Sequence, residues 1–532
     1  MVVQGDQEFD FLVIGGGIAG MRAAIELASA GRVLLTTKGT SFECRSPYAQ
    51  AGAAVALGED EEVVLHLHDS LRAGDGLCRE HALRILVEEG PRHIEELIDW
   101  STHFDRNGTR LAFAPKGTRS PARVLHAHGD STVRAIRRIL IAKAKTLSSL
   151  QVRSGAQIVD LLVDEDRVCG AMYFDRNTGA FKRVHAGRVL LATGGLGQVY
   201  RETTNPPSAS GDGVCLALRK GALLGDMEFI QFHPTALYVK GAPRFLFSEE
   251  LRAQGAKLRN IELERFMVRY HEAGELAPPD VVSRAILLEM QRCRSEFVYL
   301  DMSGLNAERV KKLFPRIYAA CLEHNIDITG DLVPVSPAAH FAIGGVATDL
   351  HGATTLKRLY AAGEVAANGL HGANRLASNA LVECLVYGGR AARAMIKEYP
   401  SFAAPTATSR PESIPLDCRH PHRAVTPADH STLASEVRRI MWEHVGTMRN
   451  RRELSEALRQ LDTLTLAAKA CTCRPHFETE NFLELAPLIA RCAAARQESR
   501  GVHYRVDFPL KQESVPSLHS YVSANSPVYF AP

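Results

Sequence analysis

The first residues of this chain that could do chemistry are Gly15-Gly16-Gly17-Ile18-Ala19-Gly20. A G-x-G-x-x-G spacing binds a pyrophosphate. Gly15 permits the tight turn, Gly17 lets a phosphate approach the backbone, and Gly20 lets a helix pack close to a strand. The phosphates then rest on the N–H groups of the helix N-terminus. Alone the spacing is a weak signal, but its setting makes it strong. Phe9 to Ile14 is a short apolar run before it, Ile18, Met21, Ala24, Ile25 and Ala28 recur at helical spacing until Gly31, and Val33 to Thr36 is a second apolar strand. A βαβ unit is predicted. Its second strand ends in Thr36-Thr37-Lys38, without the acid that binds a ribose hydroxyl in many such units. Two further strand-to-turn elements, Ala192-Thr193-Gly194-Gly195 and Ala362-Gly363-Glu364, converge on the same ligand. An acid placed like Glu364 accepts hydrogen bonds from a hydroxyl chain, although a carboxylate at a helix N-terminus suits the same position.

The elements that position these residues follow from the pattern. Val159 to Val163, Val168 to Phe174 and Phe181 to Val184 read as short strands separated by turns, and Val189 to Ala192 as a separate buried strand. Residues 205–213 form a Pro/Gly/Ser loop before a helix. A less regular stretch, 231–340, carries a charged segment read as a helix from Asn260 to Glu272, then Pro278-Pro279 before a helix near Val281. The several prolines of 401–430 read as a linker, and 431–466 and 481–500 have helical periodicity.

Composition sets outer limits. The chain has 532 residues, with 63 Lys+Arg against 60 Asp+Glu for a net charge of +3, and 45% hydrophobic residues. These are the proportions of a globular protein of more than one domain, with no charge-based reason to bind nucleic acid or an anionic membrane. No apolar run approaches the ~18 residues of a membrane span. Phe11 to Ile14 runs straight into glycines with no basic region before it, so a cytoplasmic location is expected. Eleven cysteines are scattered without any C-x-x-C pair, which encodes neither a zinc ribbon nor an iron–sulfur cluster; no metal site is expected.

Longer runs make a family recognisable. They are Tyr48-Ala49-Gln50, Ser210-Gly211-Asp212-Gly213, Gln231-Phe232-His233-Pro234-Thr235, the segment His371 to Asn379, and the segment Glu383 to Gly389. Together with the glycine elements, they resemble the fumarate reductase/succinate dehydrogenase flavoprotein superfamily and, within it, the L-aspartate oxidase family. The resemblance runs from about residue 9 to residue 509. It implies an α/β fold: an FAD-binding Rossmann-type domain in two segments (1–230 and 341–400), an inserted α+β capping domain (231–340) and a C-terminal helical domain (425–515). It places FAD contacts at Gly15, Gly16, Gly17, Ile18, Ala19, Gly20, Lys38, Ser46, Tyr48, Ala49, Gln50, Gly52, Asp212, Glu364, Ala380 and Leu381, with Lys38 where the acid is missing. Respiratory relatives attach flavin through a His at the position of Arg45, so noncovalent FAD is implied here.

The same resemblance implies a dicarboxylate site made of His233, Ser248, Arg252, His340 and Arg375, since two carboxylates need cations or strong donors. It implies hydride transfer from the α-carbon of L-aspartate to flavin, giving iminoaspartate. Reoxidation would be by oxygen or fumarate, and quinolinate synthase would act downstream in NAD biosynthesis. The chain departs from the pattern in places. Pro279 stands at a proton-transfer Arg, Lys116 at a Glu that orients the amino group, Ala253-Gln254 at Gly-Glu, and Ala380 at a serine. From 106 to 129 there are five Lys/Arg and no acid. Three readings follow: an L-aspartate oxidase in which another group, such as Arg284, replaces the lost Arg; a flavoprotein acting on another dicarboxylate or amino acid; or a catalytically idle flavin-binding protein.

Overall fold

The strand Gln4–Ile14 (β1) has apolar residues on both faces: Phe11 and Val13 enter one hydrophobic core, Leu12 and Ile14 another. That is the pattern of a parallel strand covered on both sides. The computed structural model describes residues 4–39, 52–56, 60–114, 124–399, 427–469, 477–513, 517–524 and 526–532. Arg45, Ser46, Tyr48, Ala49, Gln50, Lys116 and the 401–426 part of the predicted linker lie outside them.

From β1 the chain enters α1 (Ile18–Leu27) and β2 (Val33–Thr37), the predicted βαβ opening. It later adds β3 (Leu150–Ser154), β4 (Ala156–Asp164), β5 (Arg167–Asp175) and β6 (Ala180–Leu191). The sheet order is β3-β2-β1-β6-β5-β4, with the first four parallel and the last two antiparallel. Phe181–Val184 and Val189–Ala192, read from the sequence as two strands, fall on one strand of 12 residues that ends at Leu191. One edge of β6 has two partners in succession. Residues Ala180–His185 pair with β5, and Val189–Leu191 pair in parallel with Leu359–Ala361. The residues between the two runs, His185 to Arg188, mark a change of partner, not a turn.

After α2 (Asp212–Arg219), the chain builds an inserted unit. It comprises β7 (Ile230–Leu237), the short helix α3 (Glu249–Ala253), β8 (Lys257–Arg259), α4 (Pro279–Cys293), β9 (Val298–Asp301) and β10 (Val333–Ala342). The sheet order is β7-β10-β9-β8, and the unit has its own core around Phe247, Leu258, Phe266, Ile286 and Leu300. The helix expected over Asn260–Glu272 does not form; turns and one short 3-10 segment take its place. The Asn260 side-chain oxygen accepts the N–H groups of Glu262 and Glu264, and its amide donates to the buried Glu289 at 2.9 Å. Asparagine competes with helical hydrogen bonds in this way. Arg269 and Arg292 close on Glu289 too, so the segment's charge serves a buried cluster and not a solvated helix face. Pro279 sits in the first turn of α4, where a missing N–H costs nothing.

The chain returns to the main sheet as β11 (Leu359–Ala361) and continues into α5 (Asn379–Glu398), which packs tightly on α1: a Cβ at Gly388 would stand 2.7 Å from the Ala19 carbonyl oxygen. Helices α6 (Pro427–His444), α7 (Arg451–Lys469) and α8 (Phe477–Ala495) contribute to the core on the opposite face of the main sheet. The C-terminal segment is not wholly helical. His519–Val522 and Tyr529–Ala531 form a hairpin that pairs with Leu224–Gly225, beyond the 425–515 range expected from the sequence.

Candidate active site

The glycine-rich turn lies over the ends of β1 and β6. Gly15 has φ +119°, and a Cβ there would stand 2.1 Å from the Ala192 carbonyl oxygen; one at Gly20 would stand 1.9 Å from the Gly15 carbonyl oxygen. Both are required by the protein's own packing. Gly17 differs: nothing lies nearer than 4.0 Å to its missing Cβ, and at Gly194, with φ +76°, nothing lies within 4 Å. Gly17 caps α1 without a side-chain hydrogen bond, and no acid occupies that helix's first turn. The first N–H groups of α1 are therefore left for a ligand. This open cradle fits the pyrophosphate of a dinucleotide.

The other residues implied for the cofactor gather around the same place. Glu364 is packed on Gly195, whose Cβ would stand 2.2 Å from its Oε1, and it accepts the Ala342 N–H at 3.0 Å. Burial pushes its carboxyl up to about 7. With one backbone donor, it keeps capacity for a ligand hydroxyl. Lys38 bonds to Ser210 Oγ at 2.6 Å and to Asp212 at 2.8 Å. Ala377 and Ser378, just before α5, line the central cavity together with Gly52; Ala380 and Leu381 follow in the first turn of α5, again without a side-chain cap.

The cavity, of about 130 Å³, opens between the main sheet's unit and the inserted unit. It collects five of the six residues singled out for catalysis: His233, Ser248, Arg252, His340 and Arg375. His233 on β7 and His340 on β10 stand edge to face with centroids 5.6 Å apart. His233 Nδ1 accepts the Thr235 N–H, which leaves Nε2–H as donor. Burial and the neighbouring cations hold His233 well below the usual histidine range; burial and Arg375 push His340 down to about 3. Both rings are neutral hydrogen-bonding groups. Ser248 caps α3 and Arg252 lies one turn on, donating to the Glu275 carbonyl at 3.2 Å and to Thr235 Oγ1 at 3.1 Å. Arg375 donates to Gln231 Oε1 at 2.8 Å and lies over the Phe341 ring at 4.2 Å, and its Nε is buried without a partner. Arg252 is 4% exposed and Arg375 6%, and among the described residues neither makes an ion pair. Burial weakens the charged form of both.

Arg284 is not brought into the cavity. It lies one turn after Asp280 on α4, pairs with it at 2.9 Å and stacks over the Tyr504 ring. Positions 280 and 284 share a helix face, while Pro279 lines the cavity. Reading the sequence also missed residues that the fold delivers. His126, Asp130, Glu249 and Glu250 line the cavity, and Gln231 positions Arg375. Gln231 was visible within Gln231-Phe232-His233-Pro234-Thr235; the partnership of His126 with Glu250 spans two units and left no signal.

The buried neutral histidines carry a stability prediction. An unfolded histidine binds its proton near pH 6.5, whereas His233, His340 and the equally depressed His503 do so only far below. Stability is complete above that value and is lost as pH falls, by up to about 1.4 kcal/mol per pH unit for each ring. Urea midpoints measured between pH 7.5 and 5 should fall steadily; a flat profile refutes neutral burial of these rings.

Comparison with known proteins agrees with this geometry. The FAD binding domain family matches residues 10–381, and the fumarate reductase flavoprotein C-terminal family matches 434–527. The chain is 37% identical to the L-aspartate oxidase of Vibrio cholerae, over 95% of this chain and 96% of that one. It is 40% identical to that of Streptomyces coelicolor, over 97% and 91%. Its fold resembles the E. coli quinol fumarate reductase with a TM-score of 0.91 at 26% identity, covering 99% of this chain and 97% of that one. The chain belongs to the L-aspartate oxidase family of FAD-dependent flavoproteins.

Proposed function

We propose that the chain catalyses the FAD-dependent oxidation of L-aspartate to iminoaspartate, with oxygen or fumarate as the final electron acceptor. The observation that carries this reading is the pair of buried arginines, Arg252 and Arg375, unpaired in one cavity with neutral histidine donors. An unpaired buried cation is costly, and two of them in one cavity call for a dianion. Arg375 and His340 hold one carboxylate; His233, Ser248 and Arg252 hold the other. A bound FAD supplies the chemistry of accepting a hydride from the substrate α-carbon and handing its electrons on. The chain's residues orient the α-carbon and exclude water, which is how binding energy becomes rate. Segments 1–230 and 341–400 hold the cofactor, and the inserted unit, 231–340, covers the substrate.

FAD is held without a covalent bond, and the product passes to quinolinate synthase as the first step of de novo NAD biosynthesis. Among the described residues no helix is long and apolar enough to cross a membrane, which is consistent with action in the cytoplasm. The test is anaerobic: L-aspartate should bleach the flavin absorbance, and acid precipitation of the same preparation should leave the flavin in the supernatant. Bleaching by another dicarboxylate or amino acid but not by L-aspartate overturns the substrate assignment, and flavin in the pellet overturns noncovalent binding.

A further inference from the structure

Oxidising an α-ammonium to an imine by hydride loss first requires the nitrogen to give up a proton, because only a lone pair on nitrogen can form the C=N bond. The cavity has few groups able to take it. Arg252 and Arg375 are committed to carboxylates, and burial makes His233 and His340 weak bases. Glu275 pairs with Arg265 at 2.7 Å, Asp130 accepts the N–H groups of Arg316 and Ile317, and Pro279 holds no proton. An ordinary carboxylate is a weaker base than imidazole by about two pKa units.

His126 remains. It follows the strand Val124–Leu125, which pairs with Ala53–Ala54, and its ring lies against Gly52, where a Cβ would stand 2.9 Å from His126 Cε1. It therefore sits on the cofactor side of the cavity. Nδ1–H donates to the Gly129 carbonyl at 3.1 Å, which leaves Nε2 as the basic nitrogen. Nε2 is buried without an aligned hydrogen-bond partner, while Glu250 Oε1 from the opposite unit approaches it to 3.0 Å. An imidazole fixed at Nδ1, with Nε2 unengaged by an aligned donor and a carboxylate beside that same nitrogen to stabilise its protonated form, is arranged as a general base.

We propose that His126 takes the proton from the substrate α-ammonium, with Glu250 as its positioning partner. This rests on the amino-acid oxidation proposed above. The step balances. An N–H bond of the ammonium breaks and an N–H bond forms at His126 Nε2. The Cα–H bond then breaks with its electron pair passing to oxidised FAD, and the nitrogen lone pair closes the C=N bond. The substrate loses two electrons and FAD gains them. The proton stays on the imidazolium beside Glu250 until product leaves, then passes to solvent.

The groups facing His126 fix the direction of its pH dependence. Burial opposes its charged form, but Glu250, the Gly129 carbonyl and Asp105 together raise it above the ordinary histidine range. Glu249 and Asp130 add negative charge to the same cavity, and Arg252 and Arg375 add positive charge. Neutral His126 is the active form, so the rate of flavin reduction should fall as pH drops through a value above 6.5.

The experiment is anaerobic stopped-flow reduction of the holoenzyme by L-aspartate from pH 5.5 to 9. His126→Asn should slow reduction by about 10²–10⁴-fold and remove the acidic limb, with flavin content unchanged. Glu250→Gln, with His126 present, should move the limb about one pH unit lower. A His126→Asn rate within threefold of wild type overturns the proposal, as does an acidic limb unmoved in Glu250→Gln. If His126→Asn does not retain flavin, the Glu250→Gln profile decides. A wild-type enzyme that L-aspartate fails to bleach sinks the oxidase reading and this one together. Bleaching with unaltered variant profiles sinks only the role of His126.

Discussion

Replacing Arg375 with methionine should lower kcat/KM for L-aspartate by roughly 10³-fold while leaving the apo protein at least as stable as wild type. The two effects have one cause. Arg375 is 6% exposed, holds no ion pair among the described residues, and has a buried Nε without a partner. Its charge costs the empty protein several kcal/mol of desolvation. Against that stand one hydrogen bond to Gln231 and the stacking on Phe341, together about 1–3 kcal/mol. Substrate binding reverses the balance, since a carboxylate supplies the missing counter-charge and the unused donor. Anaerobic reduction kinetics and a thermal melt of the apo protein read the two halves separately. Lost activity with a melting temperature lowered by many degrees marks a structural arginine, and the dicarboxylate reading then fails. Arg375→Lys keeps the charge but not the planar fork, so it should recover only a small part of the lost rate.

The second large effect separates two glycines of one motif. Gly15→Ala places a Cβ 2.1 Å from the Ala192 carbonyl oxygen at a φ of +119°, so it should abolish soluble folded protein. A clash of that kind between adjacent strands belongs with the costs of more than about 4 kcal/mol. Gly17→Ala meets nothing nearer than 4.0 Å. Its apo protein should melt within about 1 kcal/mol of wild type, while its affinity for FAD falls at least about tenfold because the new methyl group stands where a phosphate approaches the backbone. Circular dichroism melts and quenching of flavin fluorescence give the two numbers. Wild-type affinity in Gly17→Ala puts the pyrophosphate somewhere other than the start of α1.

Much of this protein was legible before folding because it is written locally. The βαβ opening needs only contiguous residues: an apolar run, three spaced glycines, and a helix-period stretch, and it forms where expected. The charged stretch 260–272 does not form its expected helix because its composition suits turns equally well, and only the distant Glu289 turns Asn260 and Arg269 inward. The two short strands read at 181–184 and 189–192 merge for a similar reason. β6 changes partner halfway along, and a partner is not a local property.

The sequence by itself determined the glycine cradle and the family, and it singled out the five residues that the cavity collects, since each depends on residue type at fixed local spacing. Only the tertiary structure decided which cavity-facing groups can move a proton. Arg284 carries the right chemistry, but Asp280 and Tyr504 engage it and it does not line the cavity. Pro279 faces the cavity and offers nothing to a proton. His126 and Glu250 lie 124 positions apart and meet at 3.0 Å because one follows a strand of the cofactor unit and the other rides a short helix of the inserted unit. A pair acting across a cleft has no spacing for a motif to record; it exists only once both walls of the cleft are folded and docked.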